Sequence, residues 1–122
     1  MVNLELSDEQ LNVISKACEL LSRIYIGKLE EVALLFSDLP DEQYQELVDS
    51  LKSLNSIIKV TSKQSNSGIR DKNIPEVARY AYDIHQVIRH YLAWKHFPQG
   101  GSAVHFDSPN AYGSLSLPII SE

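Results

Sequence analysis

The residues best equipped for chemistry crowd into one stretch, 74–96. Tyr82, His85, Gln86, Arg89, Ala93 and His96 follow one another at helical spacing, so a helix aligns them along one surface. Arg79, Asp83, His90 and Trp94 form a second stripe beside the first. A guanidinium with two imidazoles and a phenol on one face offers directional donors to an anion, and an aromatic ring offers a flat surface for stacking. That combination suits a nucleotide or another phosphate ligand, or an acidic partner protein. In the nucleotide reading, Arg79, His85 and Arg89 hold phosphate, and Tyr82 or Trp94 stacks on a base. His90 completes the helical set. The tail adds Asp107, because a chain turning back at Gly100-Gly101 brings that carboxylate toward Arg89 or Arg79. The result is a pocket walled by helix and tail, or an Arg–Asp pair that pins the tail. A subunit interface uses the same residue types.

Other chemistries find less support. His85 and His90 are five residues apart and point to different sides of a helix, whereas a helical metal pair sits at i, i+4. No metal site and no cofactor is expected. There is no G-x-S-x-G elbow, and Cys18 falls on an apolar helical face, so no catalytic nucleophile stands out. Gly100-Gly101 is followed by Ser102-Ala103, not by the Lys-Ser/Thr of a phosphate loop.

The elements that position these residues read as helices. Ser7-Asp8-Glu9-Gln10 is a capping box. Behind it Leu11, Ile14, Cys18, Leu21 and Tyr25 make an apolar stripe, widened by Ala17 and Ile24, and Gly27 ends the helix. A shorter helical segment covers 29–36. After the break at 37–40, Pro40 with Asp41 and Glu42 opens a third helix, with Tyr44, Leu47, Val48, Leu51, Leu54 and Ile58 as its apolar face. Residues 61–73 read as a loop, long for a compact domain. Asn73 and Glu76 predict a second capping box for a helix running to about His96, with Val77, Tyr80, Ala81, Ile84, Ile88, Tyr91 and Leu92 facing the core. Residues 98–122 read as an irregular or hairpin-like tail, with 103–106 a candidate short strand. The expected fold is all-α: a small bundle of three long helices and one short one in a single domain spanning 1–122.

The chain has 122 residues, 11 basic and 16 acidic side chains, and a net charge of −5, which argues against a general binder of duplex phosphates. The mean is uneven. Residues 1–62 carry five basic and eleven acidic groups, residues 63–96 carry six basic and three acidic, and all four histidines and the tryptophan lie in the second half. The N-terminal residues lack the basic and apolar regions of a signal peptide, and no apolar run approaches the roughly 20 residues of a bilayer span. With one cysteine, the expectation is a cytoplasmic protein without membrane or nucleic-acid partners.

Two resemblances bear on function. Glu30-Glu31-Val32-Ala33-Leu34 followed by Glu46-Leu47-Val48-Asp49 is similar in spacing to the magnesium-binding carboxylates of helical nucleoside triphosphate pyrophosphohydrolases of the MazG type. Here Leu34 stands where the third carboxylate belongs, which leaves a hard cation short of oxygen. These acidic groups read as solvated surface. The stretch Ala81-Tyr82-Asp83-Ile84-His85-Gln86-Val87-Ile88-Arg89-His90-Tyr91-Leu92-Ala93-Trp94 resembles a motif of small phage and prophage proteins. Gly100-Gly101, Val104, Phe106-Asp107, Pro109 and Leu117-Pro118 continue the pattern, as does the opening helix 14–24 with Gly27. The resemblance implies a phage accessory protein, a class that often counters host defence by sequestering a nucleotide signal or blocking a host protein. A non-enzymatic protein that captures a small nucleotide-type signal is the leading expectation, in a pocket between subunits of a homo-oligomer and acting in the host cytoplasm. The first alternative is an inhibitor that offers its acidic first half to a host enzyme. A magnesium-dependent nucleotide hydrolase is the second.

Overall fold

The computed structural model describes residues 1–58 and 68–122, and is all-α. Helix α1 spans Asp8–Tyr25, a 3-10 helix spans Leu29–Phe36, α2 spans Asp41–Ile58, and α3 spans Glu76–His96. A single 3-10 turn, Val104–Phe106, interrupts an otherwise irregular tail. Three long helices and one short one are therefore present as expected. The candidate strand at 103–106 is this 3-10 turn, and no strand or hairpin occurs among the described residues. The loop expected at 61–73 lies outside the described residues as far as position 67.

The N-terminal cap of α1 forms as its sequence dictates. Ser7 Oγ accepts the Gln10 backbone N–H at 3.2 Å, and Gln10 Oε1 accepts the Ser7 N–H at 2.9 Å. Gly27, at φ 90°, takes the left-handed conformation that releases the chain after α1. The start of α3 differs from expectation. No side chain caps it, and the residue at the cap position is Pro75. Glu76 bonds instead with Arg79 and with the tail (Ser114 N–H, 2.6 Å).

The central contact is α1 on α3, with the 3-10 helix lying against α1 and α2 lying against the 3-10 helix. The seam between α1 and α3 is more polar than the apolar stripes predicted. From α1 it buries Ser15 and Ser22, while Val13 and Leu21 face outward. From α3 it buries Ala78, Ala81 and Ile88 together with Asp83, His85 and Gln86. These polar groups are tolerated because each is bonded. Ser15 meets His85, and Ser22 Oγ donates to the Glu19 carbonyl of its own helix at 2.8 Å. No buried side-chain polar atom among the described residues lacks a partner. The fully buried apolar set is small: Ala33, Ile74, Ala78, Ala81 and Ile88. No described helix is long and apolar enough to cross a membrane.

Candidate functional site

Arg79 is committed to structure. It folds back over the segment leading into α3, donating to the carbonyls of Ile69 and Asp71 (3.2 Å each) and of Ile74 (3.2 Å). Its charge is balanced by Glu76 at 2.7 Å. A guanidinium with this many backbone acceptors organises the loop itself, which performs the work expected of an Asn73 cap.

Asp83 and Gln86 are the tail clasp. Asp83 Oδ1 accepts the Tyr112 N–H at 2.9 Å, and Oδ2 accepts the Gly113 N–H at 2.9 Å. Gln86 Nε2 donates to the Asn110 carbonyl at 2.9 Å and to Asp83 Oδ1 at 3.2 Å. A Cβ on Gly113 would lie 2.7 Å from the Tyr80 ring, so the tail approaches α3 as closely as glycine permits. The pin between helix and tail is therefore a carboxylate on α3 bonded to tail amides. It is not an Arg–Asp pair: Asp107 is exposed and makes no ion pair with any basic side chain among the described residues.

Trp94 and His90 hold the tail one turn further on. Trp94 Nε1 donates to the Phe106 carbonyl at 3.1 Å and its ring meets Phe106 edge-on at 5.4 Å. Gly100, at φ 83°, crosses the same indole, where a Cβ would come within 3.0 Å of the ring. His90 Nδ1 donates to the His105 carbonyl at 3.2 Å. Both residues also line a shallow groove of about 680 Å³ with Tyr91, Lys95, Ile120 and Glu122.

His85 and Arg89 face the other way, into a groove of about 940 Å³ between α1 and α3, closed at one end by the Ala103–Phe106 part of the tail. Ser15, Lys16 and Glu19 contribute its α1 wall. His85 is buried, with Nδ1 2.8 Å from Ser15 Oγ and Nε2 3.1 Å from Glu19 Oε2. The tautomer that satisfies both neighbours carries its proton on Nε2 and accepts the Ser15 hydroxyl at Nδ1. Burial pushes the imidazole below its ordinary pKa. Glu19 pulls the other way, and the Arg89 charge adds to the lowering. Glu19 in turn meets Arg23 (3.4 Å), which pairs with Glu31 (2.9 Å).

Arg89 stands 3.5 Å from Nε2 of His85, and its guanidinium lies 5.9 Å from the centre of the Tyr82 ring. With the Nε2 proton on His85 donated to Glu19, that nitrogen has no lone pair to offer Arg89. Among the described residues no carboxylate pairs with Arg89 or Lys16, whereas Asp8 is taken by Lys95 at 3.0 Å and Glu19 by Arg23 and His85. The groove is mixed in charge, and its uncommitted cationic donors gather at Lys16 and Arg89.

Of the seven candidate residues, the structure thus brings His85, Arg89 and Tyr82 together. It spends Arg79 on a loop and Trp94 and His90 on the tail, and leaves Asp107 apart. The α1 contributions of Ser15, Lys16 and Glu19 were missed. Their signal was present: polar residues at 15, 19 and 22 recur at helical spacing beside the apolar stripe. Ser15, His85 and Glu19 resemble a nucleophile–base–acid set in composition only. Ser15 lies inside a helix whose N–H groups are bonded along the helix, so no paired backbone donors converge to cradle an oxyanion. No three His, Cys, Asp or Glu side chains converge as a metal site among the described residues. No family model, no curated protein and no solved structure matches the chain.

Proposed function

We propose that this is a non-enzymatic binding protein that captures a small nucleotide-type anion in the α1–α3 groove. The observation that carries the reading is Arg89: a guanidinium lining a groove of about 940 Å³, with no carboxylate partner among the described residues and an aromatic ring beside it. Arg89 presents its fork to phosphate, Lys16 supplies a second charge from α1, and Tyr82 supports the guanidinium from behind. His85 positions the wall, locked by Ser15 and Glu19. In a phage setting such capture withdraws a signal from host defence without turning it over.

The test is a thermal-shift panel of cyclic nucleotides, cyclic ADP-ribose species and phosphorylated adenosines. A ligand present at a hundredfold excess over its Kd stabilises the fold by about 2.7 kcal/mol, a melting shift near 10 °C for a chain of this size. Arg89→Ala removes the shift and leaves the unliganded melting temperature within a few degrees. Recovery of the nucleotide unchanged after release separates capture from hydrolysis. No shift across the panel refutes the reading.

A second reading draws on α2, where Asp41, Glu42, Glu46 and Asp49 are all exposed. An acidic helix of this kind suits the basic cleft of a host enzyme. Charge reversal at Glu42, Glu46 and Asp49 abolishes capture in that case, while Arg89→Ala does not.

A further inference from the structure

Charges along the α1–α3 groove follow a fixed order. The α1 wall presents Asp8, Glu9, Asn12, Lys16 and Glu19 in turn. At 1.5 Å of rise per residue, Lys16 stands about 4.5 Å along the axis from Glu19 and about 10.5 Å from Glu9. Contacts of Ser15 with His85 and of Asp8 with Lys95 run the two walls antiparallel. Arg89 lies between those two crossings, and Lys16 lies beside the first. The two cations therefore have acidic groups on both sides. Glu19 shares Arg23 with Glu31, so that cluster keeps one negative charge. Toward the other end Asp8 is matched by Lys95, and Glu9 is exposed with no basic partner among the described residues.

We propose that the groove selects an anion with a single phosphate, a mononucleotide or cyclic mononucleotide, and excludes nucleoside triphosphates. The inference rests on capture in this groove and adds the charge class of the ligand. Both walls here are helix interiors, whose N–H groups are bonded along the helix, so backbone donors add nothing to the count. Arg89 and Lys16 supply two positive charges, which one phosphate monoester satisfies. A longer phosphate chain has to continue along the groove. In one direction it meets Glu19 within a helical turn, where the Ser15–His85–Glu19 bonds close the wall. In the other it meets Glu9. Like charges set together oppose binding, and no free base stands beside either carboxylate to offset them.

The rest of a mononucleotide has an uncharged place to lie. Phe97, Ala103 and Phe106 line the groove toward its Asp8 end and offer apolar surface to a base. Phe97 is 64% exposed, an aromatic ring that the fold itself leaves uncovered. Phosphate at Arg89 and base at Phe97 set the direction of the ligand along the groove.

Isothermal titration of the full chain tests the limit, with the four ribonucleosides each supplied as mono-, cyclic mono- and triphosphate. EDTA keeps the triphosphates free of magnesium, and pH 8 lies above the ordinary imidazole range. Affinity is expected to fall at least tenfold from the best monophosphate to its triphosphate, the reverse of a site that binds by positive charge alone. Glu9→Gln, at a side chain with no ion pair in the fold, is expected to narrow that gap at least threefold and to leave the melting temperature unchanged. Adding Glu19→Gln is expected to bring the gap below threefold. Triphosphate bound as tightly as monophosphate, and still dependent on Arg89, overturns the charge limit and leaves capture standing. A monophosphate preference that neither glutamine moves also overturns it. Silence from every mononucleotide overturns it as well, and an Arg89-dependent thermal shift with any other nucleotide then decides whether capture itself survives.

Discussion

Replacing Asp83 by Asn probes the most economical device in the fold. The carboxylate is 4% exposed, has no basic partner among the described residues, and accepts from two consecutive tail amides and one side-chain amide. Asparagine keeps the shape but offers one oxygen in place of two, and turns an –NH₂ toward a donor. Hydrogen bonds to a charged group are worth about 1.5–3 kcal/mol each. Losing one backbone bond outright, weakening the other to neutral strength and leaving an amide –NH₂ facing a donor forfeits roughly 3–6 kcal/mol, and relief from burying a charge returns about 1–2 kcal/mol. A net loss of about 2–4 kcal/mol follows, a large share of the 5–15 kcal/mol that holds a typical domain. Urea titration at fixed protein concentration reads it. With an m-value near 1.5 kcal/mol/M, the midpoint falls by about 1.3–2.7 M. Amide exchange at Tyr112 and Gly113 accelerates before the helices open. A variant within 0.5 kcal/mol of wild type, with both amides still protected, refutes the clasp.

Three further outcomes follow from the same contacts. His85 has a lowered pKa in the fold, so the unfolded chain takes up a proton first as the pH falls; stability is fully present above about pH 6.5 and declines below it as the pH drops toward the folded pKa. His85→Gln removes that slope in denaturation curves measured between pH 8 and 5. Gly113→Ala pushes a methyl against Tyr80 and the Asp83 carboxylate, destabilising by about 1–3 kcal/mol in calorimetry. Trp94→Phe deletes the bond to the Phe106 carbonyl while keeping an aromatic ring; it lowers stability by about 1 kcal/mol and speeds proteolysis of the tail after residue 100.

Element boundaries were legible wherever local chemistry alone decides them. The Ser7–Gln10 box, Gly27 and Gly100 act over a few residues, and each does in the structure what its type requires. The rotation of α1 was only partly legible. Its inner row runs Leu11, Ser15, Cys18, Ser22 and Tyr25, so three members of the predicted stripe lie on it while Ala17 and Leu21 turn outward. What periodicity in apolar residues could not show is that the two most buried places on that row go to serines, one of them because α3 presents His85 to it. The α3 polar residues were correctly singled out as unusual, yet Arg79, Asp83 and Trp94 bind this chain's own backbone. A side chain suited to grip a phosphate is equally suited to grip a carbonyl or an amide, and the loop and tail are always within reach.

The seam joining Ser15 to His85 has a kinetic consequence. Its members are 70 residues apart, and the Asp8–Lys95 pair closes 87. Bringing such distant segments together opposes folding by about 4 kcal/mol of loop entropy before any contact is made, a burden more usual in β proteins than in helical ones. On the ribosome, at 5–20 residues per second, α1 emerges about 4–14 s before the helix that covers it. During that interval only the 3-10 helix is there to lie against α1, so the Ser15–Ser22 face stays uncovered and meets chaperones or a neighbouring nascent chain before it meets α3.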